Sequence, residues 1–336
     1  MNRHKLLIGI ITFQLILVCL LVIKIYRQEK KVRGTSVNPI SKDSLLFPKN
    51  GNYKYFYEHK PNTTQTLSST LIDELGYPSG TEIKYTINSD GLNQISDYPV
   101  KKPDNVYRII TLGDSYTFGE NVNTQDNYPS QLEKKLNENL KCKNIKSFQV
   151  LNLGMEGYDI SYAVARYKLR GQKYNPDLVL WFIIDADLLR IDELQIPKTK
   201  YYDDKLKQSG EEDKLAKAGI FYQGWHQALA EIVNSLGGED KVLNLQKQYF
   251  SEFSNYYGGP LLIFDFPPLD NKYKNTLNDF KNSRKNTILY DNLTTIYENP
   301  ESFLEDGHPS PKGYTAIVDN LYNYLTKNNV IPCQKP

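Results

Sequence analysis

From residue 107 onward the chain carries a series of short apolar runs: 107–112 (YRIITL), 148–153 (FQVLNL), 178–184 (LVLWFII), 261–266 (LLIFDF) and 287–290 (TILY). Near-continuous runs of this length, bounded by turn residues, suit strands buried on both faces of a parallel sheet. Helical spacing of apolar residues lies between them, at 128–140 (YPSQLEKKLNENL) and over 159–172. A last helix opens with Ser310 as N-cap and Pro311 in its first turn. Strands alternating with helices predict a three-layer α/β/α domain around a parallel sheet.

The rest of the 336 residues is organised around that domain. Leu6 to Ile23 (LLIGIITFQLILVCLLVI) is uncharged and long enough for a membrane-spanning helix. It lacks the short core and small-residue cleavage site of a signal peptide, so residues 1–23 read as an uncleaved single-pass anchor. Residues 24–50 are basic and polar and read as a linker, and 51–105 as a small β-rich lead-in. The main domain then runs over 106–330, with a charged helical insertion at about 190–258 whose patterns fall at 211–219 and 223–236. Counting Lys and Arg around the anchor places its C-terminal side in the cytoplasm, although long domains translocate despite such charge.

A formal net charge of +2 without a clustered basic face argues against a nucleic-acid partner. Cys19, Cys142 and Cys333 form no CxxC and no Cys/His cluster, so no metal site is expected. Cys142 and Cys333 either pair in an oxidising compartment or stay free thiols. No Gly-rich phosphate loop is present, and no cofactor is called for.

Three loops carry chemistry-bearing residues. RIITLGDSYTFGENV (108–122) places Ser115 at the end of the first strand, where parallel sheets hold ligands. Alone, such a serine reads more readily as a helix cap than as a nucleophile. EDGHPSPKGY (305–314) sets His308 just after two acids and just before the final helix. A carboxylate on one imidazole nitrogen fixes the tautomer and leaves the other to face a nucleophile. His59 and His226 read as structural or surface residues. VLNLGMEGYDI (150–160) offers two glycines after a strand, where backbone N–H groups can face an oxyanion.

In this order the blocks GDSYTFG and DGHPSPKG resemble those of the SGNH (GDSL-type) hydrolase family, over roughly 106–328. YTINSDGLN (85–93) is similar to a lead-in of its membrane-anchored members. The resemblance implies a flavodoxin-like sheet and acyl-ester chemistry without metal. It makes Ser115 the nucleophile and His308 the base. Asp306 is the orienting acid, with Glu305 as the alternative, and the N–H groups of Ser115 and Gly157 serve the oxyanion. One block departs: the family's oxyanion Asn falls on Ala186, beside Asp185, in WFIIDADLLR (181–190). Alanine donates nothing from its side chain, and loss of one such donor costs about 100- to 1000-fold in rate. Asn121 and Asn152 are candidate substitutes.

The expected function is a serine esterase or O-acyltransferase working on an O-acylated surface glycan or lipid through a Ser115 acyl-enzyme. The alternative is a membrane-tethered carbohydrate-binding or accessory module with weakened turnover. The family's usual surface work places the globular domain outside the cytoplasm, against the charge count.

Overall fold

The computed structural model describes residues 45–46, 53–211, 223–265, 268–291, 293, 296 and 299–334. The expected anchor at Leu6–Ile23 lies outside them. Among the described residues no helix is long and apolar enough to cross a membrane.

Two short antiparallel pairs come first. β1 (Leu45–Leu46), at the end of the expected linker, pairs with β2 (Glu58–His59), and β3 (Thr63–Thr66) pairs with β4 (Lys84–Ile87). Helix α1 (Ser69–Glu74) lies between β3 and β4. The main sheet consists of β5 (Val106–Leu112), β6 (Ser147–Asn152), β7 (Leu178–Ile183), β8 (Leu261–Asp265) and β9 (Thr287–Tyr290). Its strands are parallel in the order β6-β5-β7-β8-β9, the flavodoxin-like arrangement. Each predicted run coincides with one of these strands to within a residue, because burial on both faces demands continuous apolar sequence.

Successive side chains point to opposite faces, which builds two cores. The row Leu151–Ile110–Val179–Leu261 faces one side and the row Thr111–Leu180–Leu262 the other. Helices α3 (Tyr128–Asn139) and α10 (Pro311–Lys327) cover the second side through Leu132, Leu136, Ile317 and Leu321. Helices α4 (Ile160–Arg166), α8 (Glu239–Tyr256) and α9 (Asn271–Ser283) cover the first through Val164, Phe250, Phe253 and Phe280. Each such fully buried side chain contributes about 1.5–3 kcal/mol. The helical pattern read over 159–172 continues α4 as a π turn over Tyr167–Gly171 and a 3-10 turn over Gln172–Tyr174.

The stretch 190–258 divides into two kinds of helix. α8 is the β7-to-β8 crossover, with Trp181 packed against its Phe250 and Phe253. α6 (Asp192–Ser209) and α7 (Gln223–Ser235) instead pack on each other. The two helices touch at Gly224, where a Cβ would stand 2.0 Å from Asp203 Oδ1. The pattern at 212–219 falls outside the described residues.

Cys142, beyond α3, and Cys333, beyond α10, form a disulfide with Cα atoms 5.2 Å apart. The lead-in closes over the domain: Ile83, Tyr85 and Ile87 pack on Phe118, and Phe56 packs on Tyr158 and Tyr162.

Candidate active site

The strand order reverses at β5 and β7, and the crevice at their carboxyl ends is where open α/β sheets bind ligands. At the end of β5 the chain turns sharply through Gly113, with φ +145°. A Cβ there would meet Thr117 Oγ1 at 2.3 Å and the Phe182 carbonyl at 2.6 Å, so the corner requires glycine. Asp114 caps the one-turn helix α2 (Ser115–Phe118), its carboxylate accepting the Tyr116 N–H at 2.9 Å. Ser115 is the first residue of that helix, so its hydroxyl stands at the crevice.

The loop before α10 returns to the same point. An antiparallel bridge between Phe303 and Pro309 closes it, and the Leu304 N–H donates to the His308 carbonyl at 2.9 Å. Tyr116 ties it down by donating from its hydroxyl to the Gly307 carbonyl at 3.0 Å. His308 Nε2 lies 2.9 Å from Ser115 Oγ, and His308 Nδ1 lies 2.7 Å from Asp306 Oδ2. Asp306 Oδ1 accepts the His308 backbone N–H at 3.0 Å, and Asn121 Nδ2 donates to Asp306 Oδ2 at 2.6 Å. Glu305 goes elsewhere: its side chain lies over Gly76, at the end of α1. The structure therefore brings Ser115, His308 and Asp306 together and leaves Glu305 apart from the imidazole.

Gly157, in the loop after β6, has φ +72°, and a Cβ there would stand 2.9 Å from Tyr57 Oη. Among the described residues none accepts the backbone N–H of Ser115 or of Gly157. The family's Asn position is different. Asp185, the first residue of α5 (Asp185–Leu189), is exposed and its carboxylate turns back to accept the Ala186 N–H at 2.7 Å, so neither residue presents a side-chain donor. The two candidate substitutes are committed as well. Asn121 holds Asp306, and Asn152 Nδ2 donates to the Phe118 carbonyl at 3.1 Å while its Oδ1 accepts the Gly154 N–H at 3.0 Å.

Burial by itself would depress the His308 imidazole, but the carboxylates of Asp306 and Glu120 outweigh it and carry the group up to about 10. Burial pushes Asp306 upward, yet the His308 charge and its hydrogen bonds win and hold it below the usual carboxylate range. Behind Ser115 lies a buried acid–arginine cluster. Arg190 Nη2 donates to Asp187 Oδ1 at 2.8 Å and to the Tyr158 carbonyl at 2.6 Å. The Asp159 and Asp192 carboxylates each accept the other residue's N–H, at 2.7 and 2.6 Å. Burial, reinforced by Asp114 next to the serine, pushes Asp187 well above the carboxylate range.

Sequence reading missed two features. Glu120 Oε2 stands 3.5 Å from His308 Nε2, and Glu120 lies within RIITLGDSYTFGENV, directly after the GDSYTFG block. His59, read as structural or surface, has its Nε2 2.9 Å from Glu156 Oε2, and its ring stacks on Phe118 with centroids 4.9 Å apart. Gln65 Nε2 completes that chain at 3.0 Å from His59 Nδ1. Glu156 directly precedes Gly157, so β2 is clamped to the loop after β6 that carries Gly157. Tyr57 Oη adds to the clamp by donating to the Glu156 carbonyl at 2.5 Å.

No protein-family model matches the chain, and no curated protein matches it in sequence. Solved structures do. It is similar to a two-domain esterase active on acetylated mannans, crystallised with mannopentaose, at 13% identity and a TM-score of 0.43. That match covers 66% of this chain and 50% of the other, so the chain spans half of that protein's length. It is also similar to the psychrotrophic esterase EstA from Pseudoalteromonas sp., at 15% identity and a TM-score of 0.40, covering 67% of this chain and 98% of that one. A third is the family 3 carbohydrate esterase of Clostridium thermocellum, at 16% identity and a TM-score of 0.37, covering 66% and 96%. These are likenesses at low identity, and the chemistry of this chain follows from its own side chains.

Proposed function

We propose that the chain is a serine acyl-ester hydrolase or O-acyltransferase. The observation that carries this reading is the unbroken chain of contacts from Ser115 Oγ to His308 Nε2 and from His308 Nδ1 to Asp306. Both distances are within reach of proton transfer. In the first half-reaction Ser115 Oγ attacks the ester carbonyl carbon while His308 Nε2 takes the hydroxyl proton. The backbone N–H groups of Ser115 and Gly157 donate to the oxyanion that forms. Asp306 keeps the proton on Nδ1 and stabilises the imidazolium. Collapse breaks the ester C–O bond, and His308 returns the proton to the departing alcohol oxygen. Water, or a second alcohol, then attacks the acyl-serine by the reverse sequence.

The substrate class we infer is an O-acylated surface glycan or lipid, met by a domain tethered through Leu6–Ile23. The Cys142–Cys333 pair supports an extracytoplasmic domain, because disulfides persist in oxidising compartments. A fluorophosphonate probe tests the reading: it should label the wild type and leave Ser115→Ala unlabelled. Labelling that persists in Ser115→Ala overturns it.

A second reading is an accessory carbohydrate-binding module with little turnover. It is favoured by the missing side-chain donor at Ala186, and it predicts glycan binding with no phosphonate labelling at Ser115.

A further inference from the structure

The steps above make no use of one carboxylate beside the serine–histidine contact. Glu120 Oε2 approaches the same nitrogen, His308 Nε2, that Ser115 Oγ meets. Its side chain is 13% exposed and that of His308 16%, so water screens the pair little. The backbone that carries Glu120 is fixed on both sides. Its own N–H donates to the Ser115 carbonyl at 3.0 Å, and the next N–H, of Asn121, donates to Tyr85 Oη at 2.7 Å. Asn121 in turn holds Asp306. One tight turn thus places a carboxylate on the reactive nitrogen and an amide on the orienting acid.

An imidazole nitrogen offers either a lone pair or a proton. With Nδ1–H directed at Asp306, Nε2 can take the Ser115 proton only while it is itself unprotonated. A carboxylate beside Nε2 stabilises a proton there, whether on the ring facing Glu120 or on Glu120 facing a neutral ring. We propose that Glu120 and His308 share one proton at Nε2, and that this proton must leave before Ser115 becomes nucleophilic. Glu120 is then a positioning residue that sets the pH at which the site switches on. The shared proton stands on its own geometry, and its consequence for Ser115 rests on the esterase reading.

The surroundings favour the shared proton. His308 is faced by Asp306 from its own loop, by Glu120 from the turn after α2, and by Asp114 and Ser115 from the β5–α2 corner. The Tyr116 ring lies against it with centroids 5.1 Å apart. Glu120 is faced by His308, by Glu156 from the loop after β6, by Asp306 and Asp114, and by the phenols of Tyr85 and Tyr314. Burial first, then repulsion from Glu156, Asp306 and Asp114, overcome the pull of His308 and push the Glu120 carboxyl up to about 7. The neighbours that charge are mostly carboxylates, so His308 and Glu120 both hold protons to a higher pH than an ordinary imidazole or carboxylate does.

The sign follows. Below the titration of the pair the proton occupies Nε2 and the serine is idle; as pH rises through it, the lone pair is freed. Replacing Glu120 by Gln removes one of the three carboxylates that raise His308, so the active form appears at lower pH. In the full-length chain, the rate of Ser115 labelling by a fluorophosphonate should rise with pH, and its midpoint should fall by about one unit or more in Glu120→Gln. At the pH one unit below the wild-type midpoint, labelling of the variant should be about fivefold faster. Glu120→Ala should shift the midpoint likewise, and Glu120→Asp, which keeps the charge, should restore most of the original value.

The His308 ring proton, assigned in NMR spectra through His308→Ala, gives a second readout that needs no chemistry. Its titration should move with the same variants. Coincident His308 titrations in wild type, Glu120→Gln and Glu120→Ala overturn the shared proton, even if Ser115 is labelled normally. A shifted titration with no labelling at any pH upholds the shared proton and overturns the esterase reading instead.

Discussion

Asp306 holds His308 at two points, Oδ2 on the ring Nδ1 at 2.7 Å and Oδ1 on the backbone N–H at 3.0 Å. The first contact fixes the tautomer and the second fixes the turn that aims the ring at Ser115. A carboxylate only two residues away achieves both because Gly307 between them lets the loop fold tightly. Asp306→Asn keeps the shape and removes the charge that stabilises the imidazolium. The expected loss in kcat/KM for a short-chain acyl ester is about 100- to 10,000-fold. Glu305→Gln should stay within about threefold of wild type, since substitutions away from a site change little. Steady-state rates on the two variants decide, and the reverse ranking would move the acid to Glu305.

Ser115 and His308 act as one unit if the proton passes between them. Ser115→Ala and His308→Ala should each reduce ester turnover to near background, and the double variant should lose little more than either. Circular dichroism and Tm should remain close to wild type for Ser115→Ala, which deletes a single hydroxyl. Additive losses in the double variant would mean that the two residues contribute independently.

The parts of this architecture that were legible in sequence are those encoded locally. The parallel strands could be read because each is a continuous apolar run. An acid beside His308 could be read because EDGH keeps both candidates within three residues of the ring, but spacing alone did not choose between Asp306 and Glu305. Glu120 was in plain view, yet its partner lies on a loop before the last helix, and nothing local marks that contact. His59 likewise meets Glu156 only through folding, from β2 onto the loop after β6. The stretch 190–258 reads as uniform because charge on its solvent face masks the stripe Leu243, Phe250 and Phe253, which α8 lays on the sheet. The membrane side is a different matter: positive-inside counting and the disulfide point in opposite directions.

The His59–Glu156 pair should matter for rate beyond its effect on stability. Both side chains are buried, and Glu156 joins directly to Gly157, the residue whose N–H the proposed mechanism gives to the oxyanion. His59→Ala leaves the buried Glu156 carboxylate without its ring partner, which costs about 1–3 kcal/mol. A shift of about 1 Å in the Gly157 loop would lower kcat by as much as about 100-fold with a smaller effect on KM. His59→Gln, which can still donate to Glu156, should recover part of both. Urea unfolding and steady-state kinetics on the folded variants separate the two effects. Reduced stability with unchanged kcat would make the pair a structural clasp only.

The last prediction concerns the compartment. Cys142 and Cys333 close a covalent loop between the segments that follow α3 and α10, the two helices on one face of the sheet. The bond is backed by hydrogen bonds, with the Lys143 N–H donating to the Gln334 carbonyl at 2.7 Å and the Gln334 N–H to Asn144 Oδ1 at 2.9 Å. Replacing either cysteine by serine should lower stability by about 2–5 kcal/mol, read as a drop in Tm and in the denaturant midpoint. The same pair reports location, because a reducing cytosol would keep both thiols free. When thiols are trapped by alkylation as the cells are lysed, Cys142 and Cys333 should resist alkylation until a reductant is added. Protease added to cells with a permeabilised outer layer should then digest the domain while the inner membrane stays sealed. Two freely alkylated thiols together with a protected domain would place it in the cytoplasm, as the basic residues after Ile23 suggest, and overturn the extracytoplasmic reading.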